Sequence, residues 1–196
     1  MNVPKVTEIF KFQLLTNNQV WAACWNGIII HTDDNGESWK ALKVNQLEGT
    51  VRDIFFIDKT IGWIAGYPNF GVYKTVHSGL SWQQQVVSDN IIKSITINSL
   101  HFFNVNEGWI VGQDKWKRTV EHKGIVQRTR DGGLSWETVP VKGNRTIFRK
   151  ICFTSQQEGW LVDYDNIYRT TDKGKTWRRV LSLPPFKESD NDVFLK

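Results

Sequence analysis

The octapeptide Thr129-Arg130-Asp131-Gly132-Gly133-Leu134-Ser135-Trp136 decides how the rest of the chain is read, because its pattern occurs four times. The other copies are Thr32-Asp33-Asp34-Asn35-Gly36-Glu37-Ser38-Trp39, Thr75-Val76-His77-Ser78-Gly79-Leu80-Ser81-Trp82 and Thr170-Thr171-Asp172-Lys173-Gly174-Lys175-Thr176-Trp177. The shared form is Thr-x-Asp-x-Gly-x-Ser/Thr-Trp, with His77 replacing Asp in the second copy. The closing tryptophans Trp39, Trp82, Trp136 and Trp177 are 43, 54 and 41 residues apart. Each octapeptide has the chemistry of a hairpin turn. Asp34, Asp131 and Asp172 accept hydrogen bonds from backbone N–H groups of the turn. Gly36, Gly79, Gly133 and Gly174 supply a positive φ. The Trp then starts the next strand and buries a large ring.

A second motif precedes each turn: Gln19-Val20-Trp21, Ile61-Gly62-Trp63, Glu107-Gly108-Trp109 and Glu158-Gly159-Trp160. Together the two motifs absorb eight of the ten tryptophans and leave only Trp25 and Trp116 unexplained. Upstream again lie short apolar runs, Ile54-Phe55-Phe56, Leu100-His101-Phe102-Phe103 and Ile151-Cys152-Phe153, with Ile9-Phe10-Lys11-Phe12 in the same place in the first repeat. Every repeat therefore reads as four short strands; in the second they fall near 51–58, 61–67, 70–76 and 81–88. No stretch has helical amphipathic spacing. Four strands per unit of this length make the blade of a β-propeller, so the fold class is all-β, one domain over 1–196. The blades fall near 7–45, 50–88, 97–141 and 147–182, followed by a tail at 183–196.

The 196 residues carry 25 Lys and Arg against 20 Asp and Glu, a net charge of +5. That mild excess suits an acidic protein partner and falls short of a nucleic-acid-binding tail. No apolar run approaches the length of a membrane helix, so no direct insertion is expected. Cys24 and Cys152 form neither a disulfide framework nor a zinc site; both read as small buried apolar residues, a long-range disulfide being the alternative. The four His have no metal-ligand spacing, and no cofactor is implied. The N-terminus lacks a signal peptide's apolar run, which fits a cytoplasmic protein or one whose leader was removed before this numbering.

The octapeptides match the Asp-box, or bacterial neuraminidase repeat. Their pairing with Gly-Trp strands, as in Glu107-Gly108-Trp109-Ile110-Val111-Gly112 leading to Arg128–Trp136, most resembles the photosystem II stability and assembly factor family. The resemblance spans about residues 7–182. It implies a propeller that binds immature membrane-protein subunits as a scaffold without catalysis. Members of that family and sialidases carry more blades than four. Asp192-Val193-Phe194-Leu195-Lys196 falls where the first strand of a fifth blade is due. Three arrangements follow: a piece of a longer propeller, a closed four-blade ring with a tail strand, or an open arc completed by another chain through its exposed edges.

In a propeller the connections between second and third strands share one face with those between blades. The third repeat is extended there by a loop holding Lys115, Trp116, Lys117 and Arg118. A rigid aromatic among cations has the composition of a recognition hot spot, and equally that of a solvated loop whose Trp packs back. Arg52, Arg145, Arg149, Lys150 and Trp25 are expected on the same face, forming a basic mouth near the axis. The assembly-factor family carries an arginine patch on such a surface, which these positions resemble loosely. The expected function is a non-catalytic, protein-binding scaffold. A lectin-like glycan binder is the first alternative and a degenerate sialidase-like glycosidase the second. Phe148-Arg149-Lys150-Ile151 departs from the sialidase Phe-Arg-Ile-Pro motif, and no paired acids stand out.

Overall fold

The computed structural model describes residues 8–44, 49–67, 71–85, 95–114, 123–142 and 147–184. It contains sixteen strands and, among the described residues, one 3-10 turn at Trp25–Gly27. The first blade is β1 (Ile9–Thr16), β2 (Gln19–Cys24), β3 (Ile28–Thr32) and β4 (Lys40–Lys43). The second is β5 (Thr50–Phe56), β6 (Gly62–Tyr67), β7 (Val72–Thr75) and β8 (Gln83–Gln85). The third is β9 (Ile95–Phe102), β10 (Gly108–Asp114), β11 (Lys123–Thr129) and β12 (Glu137–Thr138). The fourth is β13 (Lys150–Phe153), β14 (Gly159–Val162), β15 (Asn166–Thr170) and β16 (Arg178–Ser182). Each blade is an antiparallel meander whose strands pair in sequence order. The first strands β1, β5, β9 and β13 lie side by side around a common axis, in chain order.

Why the two Trp positions recur is clear from the packing between blades. Trp21 (2% exposed) stacks on Phe56 of the second blade at a centroid distance of 4.1 Å. Trp63 stacks on Phe102 of the third at 3.7 Å, and Trp109 lies tilted on Phe153 of the fourth at 5.7 Å. The closing Trp82, Trp136 and Trp177 then meet the same phenylalanines edge-on. An aromatic pair of this kind contributes about 0.5–1.5 kcal/mol beyond its area burial. The glycine before each indole has its own reason. Phe56, Phe102 and Phe153 pair across the ladder with Gly62, Gly108 and Gly159, and a Cβ there would lie 2.3–2.6 Å from the ring. The first blade has Val20 instead, and opposite it stands Leu14. Register therefore makes Leu14, not Phe12, the counterpart of Phe56, one turn of the pleat later than the sequence alignment of Ile9–Phe12 places it.

The octapeptide turns are built alike. In the first, Thr32 Oγ1 accepts from the N–H of Gly36 (2.9 Å) and donates to Asp34 Oδ1 (2.7 Å), while the N–H of Ser38 donates to Asp34 Oδ1 (2.9 Å). The third and fourth turns repeat this with Asp131 and Asp172. In the second, His77 Nδ1 meets Ser81 Oγ at 2.9 Å. The glycine does have positive φ, but so does the residue before it: Asn35 (62°), Ser78 (54°), Gly132 (78°) and Lys173 (60°). That conformation aims the N–H of each at a carbonyl of the β1–β2-type hairpin in its own blade, as Asn35 to Asn18 (3.0 Å) and Lys173 to Gln157 (3.1 Å).

Three continuous cores join the first blade to the second, the second to the third and the third to the fourth. Among the described residues no core joins the fourth blade to the first. At the hub, Phe12 and Leu14 of the first blade line one cavity with Ile151 and Cys152 of the fourth; Asp192–Lys196 lies outside the described residues. One expectation needs correcting. Cys24 is buried, but Cys152 is exposed and both thiols are free. Cys152 pairs with Trp160 and borders a cavity that it shares with Phe12 and Leu14 of the first blade, which leaves it exposed.

Candidate functional site

The axis is lined by the first strand of each blade, and a shared irregularity shapes its mouth. The ladder skips Phe10 in β1, Arg52 in β5 and Asn98 in β9, each at a register shift. A bulge re-aims one side chain without disturbing its neighbours. Here it lets Val51 and Asp53 both stay buried while Arg52 between them turns outward. In the fourth blade Arg149 precedes the paired Lys150 and holds the corresponding place. Phe10, Arg52, Asn98 and Arg149 are therefore one repeat position, presented by four blades around one opening. With Gln113, Ile147 and Tyr164 they line a cavity of about 430 Å³.

The two guanidinium groups are held by neutral partners. Arg52 donates to Asn98 Oδ1 at 3.2 Å and lies 5.6 Å from the centre of the Tyr67 ring. Asn98 is itself fixed by its amide donating to the Phe148 carbonyl at 2.8 Å. Arg149 sits 4.7 Å over the ring of Tyr164, which is 56% exposed. Neither arginine has a carboxylate partner among the described residues. The mouth thus presents two uncompensated cations, each backed by a ring that positions it without neutralising it.

The next residues of the repeats are Lys11, Asp53, Ser99 and Lys150; Lys11, Asp53 and Lys150 line a second cavity, while Ser99 is buried and accepts from the N–H of Ile151 (3.4 Å). Asp53 is 1% exposed; its Oδ2 accepts from Lys150 Nζ (3.0 Å) and from the N–H of Leu100 (3.1 Å). Burial, and after it Lys150, lowers the pKa of Lys11. His101 stands among Phe55, Phe103 and Phe153 and is pushed down to about 4 by burial. Lys150 therefore faces inward, onto Asp53, while Arg149 faces the mouth. Trp25 is 52% exposed and stacks on the mouth residue Phe10 at 6.3 Å. Lys115, Trp116, Lys117, Arg118 and Arg145 lie outside the described residues. Sequence reasoning missed Phe10, Asn98, Gln113, Ile147 and Tyr164. Aligning the four repeats one residue before the paired inner strand would have found Phe10 and Asn98; nothing marks the other three.

Residues 38–117, less than half of the chain, match the model of the family described as photosynthesis system II assembly factor YCF48. No functionally curated protein is detectably similar in sequence. Among solved structures, YCF48 bound to D1 peptide is 17% identical, with a TM-score of 0.69 over 94% of this chain and 56% of that one. YCF48 from Cyanidioschyzon merolae is also 17% identical, at TM-score 0.63 over 91% and 61%. An ancestral GH74 enzyme is 19% identical, at 0.66 over 88% and 24%. The chain thus spans little more than half the length of the YCF48 structures and a quarter of the enzyme. The fold is that of an Asp-box β-propeller, of the kind seen in the YCF48 assembly factors.

Proposed function

We propose that the protein is a non-catalytic binding module that takes a carboxylate-rich segment of another protein at the axial mouth. The observation that carries this reading is the pair Arg52 and Arg149, repeated at one blade position, free of carboxylates among the described residues and backed by Tyr67 and Tyr164. Guanidinium groups held this way form charge-assisted, bidentate bonds to incoming carboxylates. Phe10 and Trp25 add the rigid aromatic surface on which binding energy concentrates. The family match and the solved YCF48–peptide complex support a protein partner, and the acidic character of that partner rests on the mouth alone.

The described lining of the mouth contains no Asp or Glu, which disfavours the paired carboxylates that glycoside hydrolysis needs. The test is anisotropy with a labelled Glu/Asp-rich peptide and a sequence-scrambled Lys/Arg-rich control. Tight binding of the acidic peptide, weakened at least tenfold in the R52A/R149A double variant and by added salt, is expected. Equal binding by wild type and double variant refutes the mouth as the site. Retention on a xyloglucan or sialoside column, with turnover, refutes the non-catalytic reading.

A further inference from the structure

The cavity at the hub has a volume of about 270 Å³, and the first strand of every blade contributes to its lining. Its walls are largely apolar, with Phe12, Leu14, Phe55 and Ile151 among them. Most of the polar groups that line it are already satisfied. Gln13 donates to the Phe56 carbonyl (2.8 Å) and accepts from the Phe56 N–H (2.6 Å). Asp53 Oδ1 accepts from the N–H of Ile54 (3.0 Å), and Oδ2 accepts from Lys150 Nζ (3.0 Å) and from the N–H of Leu100 (3.1 Å). His101, pushed down to about 4 by burial, is neutral at physiological pH.

Lys11 is the exception. Its hydrogen-bonding side-chain neighbour is Lys150, and an ammonium group donates but cannot accept. Asp53 is the one carboxylate in the lining, and Lys150 already holds it. Two ammonium groups therefore face one carboxylate, and the cavity carries one positive charge in excess. Burial and the charge of Lys150 both act against the protonated form of Lys11. A half-buried cation left in this way is costly until an anion joins it.

We propose that the hub cavity binds a small organic carboxylate, with its charged end on Lys11 and Lys150 and its apolar body against Phe12, Leu14, Phe55 and Ile151. An excess of one charge matches a monoanion, whereas a dianion such as phosphate would also meet the charge of Asp53. The apolar walls call for an organic body. The volume lies just under the range of about 300–1,000 Å³ that holds drug-sized ligands, so the ligand is small. Both lysines would make charge-assisted hydrogen bonds to it. The carboxylate would thus bridge β1 and β13, whose blades share no apolar core among the described residues. This site is separate from the mouth and does not rest on the function proposed there.

The test is isothermal calorimetry of the full chain with three probes: hexanoate, its neutral analogue hexanol, and acetate, which lacks the apolar body. Hexanoate is expected to bind at least about tenfold more tightly than either of the others. Lys11→Met keeps the apolar stem and should weaken hexanoate binding at least about tenfold, with the near-ultraviolet circular dichroism of a folded protein; K11R should retain binding. Hexanoate should also slow alkylation of Cys152, which borders the cavity, in the wild type and in K11R. The acidic peptide of the mouth should neither displace hexanoate nor lose affinity in K11M. Hexanoate binding no tighter than hexanol, or retained in folded K11M, overturns the proposal. So does preference for inorganic phosphate, or displacement of hexanoate by the acidic peptide. Alkylation of Cys152 in the wild type that hexanoate leaves unchanged overturns it without recourse to any variant.

Discussion

Gly174, Gly79 and Gly36 hold the same place in three turns and differ in what a methyl group would meet, so replacing each by Ala separates backbone strain from packing between blades. Their φ angles are 72°, 76° and 89°, so all three variants incur the left-handed penalty, roughly 1–2 kcal/mol for an L side chain. In G36A the new Cβ has only Trp39 Nε1 at 3.9 Å, and the penalty stands alone. In G79A it lies 3.2 Å from Leu42 Cδ1 and 3.3 Å from Trp21 Cζ3, so a small shift suffices. In G174A it falls 2.6 Å from Trp109 Cζ2, inside a ring held by Phe153 and Trp177. Overpacking of that kind adds about 1–3 kcal/mol, for a total of about 2–5 kcal/mol. Urea unfolding reads the difference. With a slope of about 2 kcal/mol/M, G174A should unfold about 0.5–1.5 M earlier than G36A, with G79A between them. Equal midpoints for G36A and G174A would refute the claim that the preceding blade's indole is what the turn glycine makes room for.

Three further outcomes follow from the same packing. W63A should cost about 3–5 kcal/mol, because a fully buried ring is lost, whereas W160A, at a half-buried ring, should cost about 1 kcal/mol; thermal melts rank the two. H77D should stabilise by about 1 kcal/mol in urea titrations, since it gives the second turn the acceptors that Asp34 and Asp131 supply in theirs. Acid should destabilise in two stages. Between pH ~6.5 and 4 the unfolded chain binds a proton that buried His101 refuses, so stability falls as pH falls, by at most about 3 kcal/mol. Lower still, Asp131, held down to about 2 chiefly by the Ser135 hydroxyl and backbone, loses its contribution as pH drops from ~4 toward 2. H101F should shrink the upper stage in a pH series of urea midpoints to the part that His31, also lowered by burial, contributes, and leave the lower one.

The turns and the strands they connect were legible in the sequence because each is a local device: Thr, Asp, Gly and Ser meet within eight residues, and a Trp marks the strand that follows. What escaped the sequence depends on partners in other blades or on ladder irregularities. Phe10, Arg52 and Asn98 share a place only because the ladder slips one residue in each inner strand. Leu14 takes the part of a phenylalanine because Val20 opposite fills the space a glycine leaves elsewhere. A third case lies within each blade: Ser78 and Lys173 adopt positive φ because their N–H groups are drawn to the hairpin of the blade's first two strands, which their residue types do not announce. Cys152 is exposed because it borders a cavity between the fourth blade and the first, and a single apolar residue in a strand carries no sign of how tightly its face is covered. Of the basic face, Arg52 and Arg149 were visible as charges, but the inward turn of Lys150 follows from Asp53, 97 residues away along the chain.

That carboxylate sits at the hub. Asp53 belongs to the second blade, takes an N–H from the third through Leu100 and an ammonium from the fourth through Lys150. Three leaflets that otherwise pack mainly through the faces of successive blades are thereby joined at one carboxylate. A side chain one methylene longer would have to shift one of these two donors, so a single residue couples the placement of three blades.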